Sequence, residues 1–103
     1  MADNPALTLA AFQLFIRQRY HEVDEARGTP ATFMWFIEEV GELATALHKA
    51  AGQGGKTSGG ENLAEEFADV LAWLCTLANI NGIDLAEAVS QKYLLGPGPE
   101  GHK

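Results

Sequence analysis

The sequence predicts an all-α fold of four helices, and three observations support this prediction. Apolar residues recur every three to four positions along most of the chain, which is the period of one helix face. No stretch alternates apolar and polar residues with the period of two that a half-buried strand requires. Clusters of glycine, proline and asparagine divide the chain into segments of helical length. A chain of 103 residues has room for one such domain.

The first two predicted helices adjoin at a glycine followed by Thr-Pro. Helix 1 is predicted over residues 7–26, with Thr8 or Asn4 as its N-cap. Its recurring apolar residues are Leu9, Phe12, Phe15, Ile16, Tyr20 and Val23. Helix 2 is predicted to begin with Thr29 as N-cap and to run to about residue 50, because the proline that follows Thr29 suits the first helical position.

The third predicted helix follows a glycine-rich stretch. Residues 51–60 contain five glycines and are expected to form a flexible connection. Asn62 and Glu65 form a capping-box pattern, which predicts that helix 3 begins there and runs to about residue 79. Asn79 is expected to cap the carboxyl end of this helix.

The last helix is predicted to be short. Asn81 and Gly82 end helix 3, and Asp84 with Glu87 repeats the capping pattern. Helix 4 is therefore expected to run to about Leu94. The prolines and glycines that follow cannot continue a helix. We thus expect residues 1–95 to form a single helical domain and residues 96–103 to form a flexible tail.

The composition excludes several classes of function. With 7 basic and 14 acidic residues the net charge is −7, which disfavours binding to nucleic acid or to an anionic membrane surface. No apolar run has the ~18 residues of a membrane span. The first residues lack a basic segment and a long apolar segment, so we expect no signal peptide. The single Cys75 cannot form an internal disulfide, and a cytoplasmic location is expected.

Helices 2 and 3 carry the informative acids. A shift of 27 residues superimposes Glu38 on Glu65, Glu39 on Glu66 and Glu42 on Asp69, and it matches the apolar Phe36, Val40, Leu43, Ala44 and Leu47 to Leu63, Phe67, Val70, Leu71 and Leu74. In an antiparallel hairpin with both apolar arcs inward, Glu39, Glu42, Glu66 and Asp69 converge on one seam. Carboxylates this close repel unless a cation neutralises them, and Mg²⁺ or Mn²⁺ prefers oxygen ligands.

The alternative is that these acids are ordinary solvated helix surface. Exposed acids usually have Lys or Arg four residues later. The residues four positions after Glu38, Glu39, Glu65 and Glu66 are instead Glu42, Leu43, Asp69 and Val70. The acids therefore lack intrahelical counterions, which favours a bound cation.

These motifs resemble a known family. EEVGE at 38–42 followed by EFAD at 66–69 is similar to the EExxE…ExxD signature of the MazG-like all-α nucleoside triphosphate pyrophosphohydrolases. The run ANINGIDLAEAVSQK at 78–92 resembles the segment that follows it, and the similarity covers about residues 30–92. The resemblance implies a four-helix MazG-like bundle that hydrolyses nucleoside triphosphates to the monophosphate and pyrophosphate with Mg²⁺. It also implies assembly as a homodimer or a dimer of dimers.

The resemblance assigns roles residue by residue. It implies that Glu39, Glu42, Glu66 and Asp69 are the metal ligands. Glu38, the first acid of the motif, is then the candidate catalytic base that orients or deprotonates the attacking water. Lys92 matches a lysine of the family's fourth helix and is a candidate for phosphate contact. Members of the family commonly continue with further basic and Asn residues, whereas this chain reads YLLGPGPEGHK.

Three more residues lie on the helix arc of the acids. Trp35 and Trp73 are each one turn from a proposed ligand, and either ring has the surface to stack on a base. Trp73 is the better candidate, since related enzymes often have an aromatic residue there; packing or a subunit interface is the alternative role for both. Lys49 is a second candidate for phosphate contact, with a solvated side chain as its alternative.

Two rival functions remain open from the sequence. One is a non-catalytic helical module that dimerises or binds a basic partner protein through its acidic face. The other retains the metal in a structural role. A chain with this many large apolar residues on short helices is expected to form at least a homodimer, with active sites near the subunit boundary. The expected partners are a nucleoside triphosphate and a second copy of the chain.

Overall fold

The computed structural model describes residues 6–52 and 60–95, and these are helical with no strand. The helices are α1 (Leu9–Arg27), α2 (Thr29–Gly52), α3 (Gly60–Ile80) and α4 (Leu85–Val89), and a π-helical turn (Ser90–Leu94) continues α4. The predicted all-α class with four helices is therefore confirmed for the described residues. Most of the predicted 51–60 connection, at 53–59, and the predicted tail at 96–103 lie outside them. None of the described helices is long and apolar enough to cross a membrane.

Two helix caps form as the sequence predicts. The Thr8 hydroxyl accepts a hydrogen bond from the Ala11 amide at 3.0 Å, so Thr8 is the N-cap of α1. The Asp84 carboxylate accepts from the Glu87 amide at 3.0 Å and caps α4. Gly82 lies in the turn between α3 and α4 and has a φ of 69°, which a residue with a β-carbon rarely adopts. Local capping chemistry thus fixes these boundaries.

Three capping predictions are wrong. The Gly28 carbonyl accepts from the Thr32 amide at 3.1 Å, so α2 begins at Thr29 rather than after it. Helix α3 begins at Gly60, which places Asn62 inside the helix. Asn79 does not cap α3, because its side chain is buried and faces α1. The predictions failed because a capping residue can equally continue a helix or bond across to another one.

Helix α3 is the centre of the molecule, with α1 and α2 both packed on it. A buried glutamine, Gln13, ties α1 to the end of α3 and the start of α4. Its Nε2 donates to Asn79 Oδ1 at 2.9 Å and to the Ile83 carbonyl at 2.7 Å, and its Oε1 accepts from the Leu85 amide at 2.9 Å. These bonds satisfy polar groups that burial would otherwise leave unpaired. Gln13 therefore sets the position of α4 relative to α1 and α3.

The apolar arcs of α2 and α3 are buried only in part, contrary to the expectation that both turn inward. Phe36, Leu43 and Val70 are half-buried. Seven large side chains instead remain 36–53% exposed. We call this set the outer apolar face, and it comprises Phe33, Ile37, Val40, Leu47, Phe67, Leu71 and Leu74. Both helices are rotated so that the inner edge of each arc, and the acids beside it, lie at the α2–α3 contact.

Candidate functional site

Helices α2 and α3 form an antiparallel hairpin. Trp35 near the start of α2 stacks on Trp73 in the second half of α3, whereas Glu42 further along α2 lies beside Glu66 nearer the start of α3. One row of buried or half-buried residues on each helix recurs with a spacing of three and four, as at a helix–helix seam. The row is Thr32, Phe36, Glu39, Leu43, Ala46 and Ala50 on α2, and Leu63, Glu66, Val70, Trp73, Leu77 and Ile80 on α3.

Glu39 and Glu66 therefore occupy positions where a helical hairpin normally has apolar residues. Carboxylate oxygens of Glu39, Glu42 and Glu66 all lie within 4.8 Å of one another. Oε1 of Glu39 and Oε1 of Glu66 are shielded from solvent, and neither has a hydrogen-bond partner among residues 6–52 and 60–95. A buried carboxylate oxygen without a partner costs free energy, so this seam is unfavourable as it stands.

Burial and mutual repulsion make the carboxylates of the seam harder to ionise. Burial raises the pKa of Glu39 above 4.5, and the neighbouring Glu42 and Asp69 raise it further. Burial likewise raises the pKa of Glu66, and repulsion from Glu42 and Asp69 raises it further. Among the described side chains, the two ion pairs, His21–Glu25 and Arg27–Asp24, both lie within α1. No described basic side chain therefore pairs with the acids of the seam.

This donor set fits a hard divalent cation. Such ions take oxygen ligands, and binding one would satisfy both shielded oxygens and remove the repulsion between the acids. The three residues that meet offer carboxylate oxygens alone, the ligand type that hard divalent cations prefer.

The other two predicted acids lie beside this group. Asp69 is exposed, one helical turn after Glu66, and it raises the pKa of both Glu39 and Glu66. It is outside the set of three whose oxygens meet. Glu38 is exposed and also outside that set, although its charge adds to the repulsion at Glu39. The structure thus brings three of the five predicted acids together and leaves two at the rim.

The two tryptophans stack on each other at one end of the acidic seam. Their ring centroids are 5.8 Å apart and the rings are inclined by 25°. Trp35 is 53% exposed, while Trp73 is half-buried and also has the Arg27 guanidinium 5.0 Å from its ring centroid. Trp35 is therefore the more accessible ring of the pair, whereas the family resemblance favours Trp73; which ring contacts a base stays a prediction.

The two predicted lysines are not brought to the acids. Lys49 is exposed near the carboxyl end of α2, two turns beyond Glu42. Lys92 lies in the π-helical turn, with its ammonium 5.5 Å from the centroid of the adjacent Tyr93 ring. Neither forms an ion pair with a carboxylate in the part of the chain that the structure describes. Their contact with phosphate stays a prediction.

The sequence analysis missed a polar network beside Trp73. Asp24, Arg27, Thr32 and Thr76 come from three helices and are joined by hydrogen bonds. The only local signal was an acid and a base three residues apart on α1, which the run of charges around them obscured. A groove of about 350 Å³ between α1 and α3 opens beside this network, lined on one side by Trp73.

Comparison with known protein families agrees with this geometry. The family model of the MazG nucleotide pyrophosphohydrolase domain matches residues 28–93, well over half of the chain. The chain belongs to this MazG family. The matched segment contains α2, α3 and α4 and therefore every acid of the seam. No curated protein matches the chain. Family membership identifies the MazG domain as hydrolase-like, consistent with a cluster of acids that no described basic side chain neutralises.

Proposed function

We propose that this MazG-family protein is a Mg²⁺-dependent nucleoside triphosphate pyrophosphohydrolase that converts (deoxy)nucleoside triphosphates to the monophosphate and pyrophosphate. The observation that carries the proposal is the pair of shielded oxygens of Glu39 and Glu66, which receive no hydrogen bond from the part of the chain that the structure describes and lie within a group of three carboxylates. In a chain of this family, such a group is best explained as a site for a metal that also binds substrate phosphates.

Each acid has a role in this proposal. Glu39, Glu42, Glu66 and Asp69 would hold Mg²⁺, or Mn²⁺ in its place. When bound, the ion supplies positive charge against the phosphate oxygens. Glu38 is exposed beside Glu39 and would accept a proton from the attacking water. Water oxygen then bonds to the α-phosphorus, the bond from that phosphorus to the α–β bridging oxygen breaks, and pyrophosphate leaves with that oxygen.

The remaining substrate contacts follow from the position of the tryptophans. Trp35 lies one helical turn before Glu39 in α2, and Trp73 lies one turn after Asp69 in α3, so both rings are at the same end of the seam. A base stacked there is within reach of phosphates at the seam. Lys49 and Lys92 are proposed phosphate contacts, with Lys92 requiring movement or a second subunit. The biological role we propose is removal of surplus or non-standard nucleotides from the cytoplasmic pool, by the domain spanning residues 1–95.

The direct test is a nucleotide panel with and without Mg²⁺, with products identified by phosphorus NMR. We expect monophosphate and pyrophosphate from at least one nucleoside triphosphate, only with the metal, because charge neutralisation at the phosphates is the main requirement of this chemistry. Nucleoside diphosphate and inorganic phosphate as products would refute cleavage at the α-phosphorus. An inert panel together with measurable Mg²⁺ binding would favour a structural metal, and an inert panel without it would favour the partner-binding module.

We also propose that the protein assembles through the outer apolar face. Seven large apolar side chains that stay 36–53% exposed on one side of two packed helices are typical of a protein–protein interface rather than of a solvated surface. On the helical wheel the acids of α2 and α3 lie away from this face, so two copies can meet there without opposing carboxylates.

Phe67→Asp is expected to convert the assembled protein into monomers, since it places a charge at the centre of the outer apolar face. Ala68→Asp is the matched control, because it adds the same charge to the next exposed position of α3 but about 100° around the helix. Sedimentation velocity should give a dimer or tetramer for the parent and for Ala68→Asp, and a monomer for Phe67→Asp. A compact, stable monomer for the parent would contradict the assembly.

A further inference from the structure

A partly buried ion pair belongs to a hydrogen-bond network that joins three helices beside Trp73. Asp24 is only 5% exposed, and its Oδ1 accepts from Arg27 Nη2 at 2.6 Å. Its Oδ2 accepts from the Thr76 hydroxyl of α3 at 3.0 Å. Arg27 Nε donates to the hydroxyl of Thr32 on α2 at 2.9 Å. The hydrogen bonds from Nη2 to Asp24 and from Nε to Thr32 therefore hold the guanidinium in one orientation.

The Arg27 guanidinium also lies over the Trp73 ring, 5.0 Å from its centroid. A planar guanidinium stacks on an aromatic ring and favours one relative orientation of the two. The Trp73 ring in turn stacks on Trp35. Asp24 and the Thr32 hydroxyl fix the orientation of the Arg27 guanidinium. The guanidinium in turn restricts the orientation of the Trp73 ring, and the Trp73 ring restricts that of the exposed Trp35 ring.

Stability alone does not account for this ion pair. Burying the Asp24 carboxylate and half-burying the Arg27 side chain costs hydration, and apolar side chains of similar volume join helices at equal or lower free energy. The pair instead lies where orientation matters, because Asp24, Arg27 and Thr76 line the groove of about 350 Å³ together with Trp73. Trp73 is also one helical turn from Asp69 at the edge of the acidic seam.

We infer that Asp24 and Arg27 are positioning residues, which hold the Trp73 ring and through it the exposed Trp35 ring, so that Trp35 is oriented to stack on the base of the nucleotide. This inference rests on the proposed function, because it assigns the tryptophans to the base. Without the guanidinium the rings adopt several orientations, and base binding must order them. Binding of the phosphates at the seam is unaffected, so KM rises while kcat does not change.

The first test reports on the rings and requires no activity. Stacked tryptophans give an exciton couplet in circular dichroism, and Trp35→Phe identifies the part of the signal that comes from this pair. Arg27→Gln is expected to lose the couplet. Arg19→Gln is the matched control, because Arg19 is on the same helix and its guanidinium lies 5.3 Å from the centroid of the Phe15 ring, away from the tryptophans. The control is expected to keep the couplet.

The second test separates the base from the phosphates. For the best substrate of the panel, Arg27→Gln should raise KM by roughly 2 to 10-fold, the cost of ordering a freed side chain, with kcat within about twofold of the parent. Inorganic tripolyphosphate has the phosphates but no base, so its inhibition constant should be the same for parent and variant. A merely structural role would not separate these two ligands.

Several results would overturn the inference. They are a retained couplet in Arg27→Gln, an unchanged KM, or equal weakening of nucleotide and tripolyphosphate binding. If Arg27→Gln does not fold, Arg27→Lys decides, since it keeps a positive charge beside Asp24 but loses the planar group over Trp73; it should lose the couplet and raise KM. If the parent hydrolyses no nucleotide, the proposed function fails, and the couplet alone supports or refutes the positioning of the rings.

Discussion

Glu39→Gln and Glu66→Gln should each reduce turnover by on the order of 10³-fold, because each removes a charged oxygen from the group that neutralises the substrate phosphates. Both side chains are half-buried in the α2–α3 seam, and glutamine keeps their shape. Far-ultraviolet circular dichroism should therefore remain that of the parent. Initial rates of pyrophosphate release at saturating Mg²⁺ measure the effect.

Glu65→Gln is the matched control for this prediction. Glu65 is the exposed neighbour of Glu66 on the same helix and lies outside the group of three carboxylates that meet. Its turnover should stay within about twofold of the parent, as is usual for a surface substitution. Equal losses in Glu65→Gln and Glu66→Gln would mean that general negative charge, rather than this particular seam, supports the reaction.

The second large effect is expected on stability. In the metal-free protein, burial and neighbouring carboxylates raise the pKa of Glu39 and of Glu66 above 4.5. The folded chain therefore retains protons that the unfolded chain releases. The favourable contribution of these two groups is fully present below pH 4.5 and is lost as the pH rises through the raised pKa values. Metal-free protein should thus lose stability through these groups as the pH increases.

Mg²⁺ should restore this stability, because it binds the ionised carboxylates of the folded chain only. At about 100 times its Kd the ion adds about 2.7 kcal/mol to the free energy of unfolding, which raises Tm by roughly 10 to 20 °C for a domain of this size. Thermal unfolding with and without Mg²⁺, over a range of pH, measures the effect. The increase should be larger above the raised pKa values than near pH 4.5.

The double variant Glu39→Gln/Glu66→Gln isolates this contribution from all other titrating groups. Without Mg²⁺ it should be more stable than the parent at high pH, since it has fewer repelling charges in the seam. It should also show no Mg²⁺-dependent increase in Tm. An increase as large as that of the parent would place the ion elsewhere in the molecule.

The sequence was sufficient to predict those features that depend on one helix at a time. Thr8 and Asp84 cap their helices through bonds to residues only three positions away, so the local pattern identifies them. The repeat between EEVGE and EFAD predicted that acids of α2 and α3 share a seam, because two helices with matching faces bury the same side. Three of the acids do meet there.

The predictions that were wrong concern features that depend on how the helices are rotated against each other. A helical wheel places Glu39 and Glu66 at the border of the apolar arcs, whereas packing puts them inside the contact and leaves Val40 and Phe67, the next residue in each case, exposed. The bond between Gln13 and Asn79 spans 66 positions of sequence, and no local pattern indicates it. Such contacts are settled by tertiary packing rather than by periodicity.

Titration of the protein with Mn²⁺, followed by the electron paramagnetic resonance signal of the free ion, tests most directly whether the carboxylates of Glu39 and Glu66 hold a divalent cation. The parent should deplete the free-ion signal, Mg²⁺ should compete, and Glu39→Gln/Glu66→Gln should leave the signal at its level in buffer. Depletion by the double variant equal to that by the parent, or no depletion by the parent, would contradict a metal site in the α2–α3 seam.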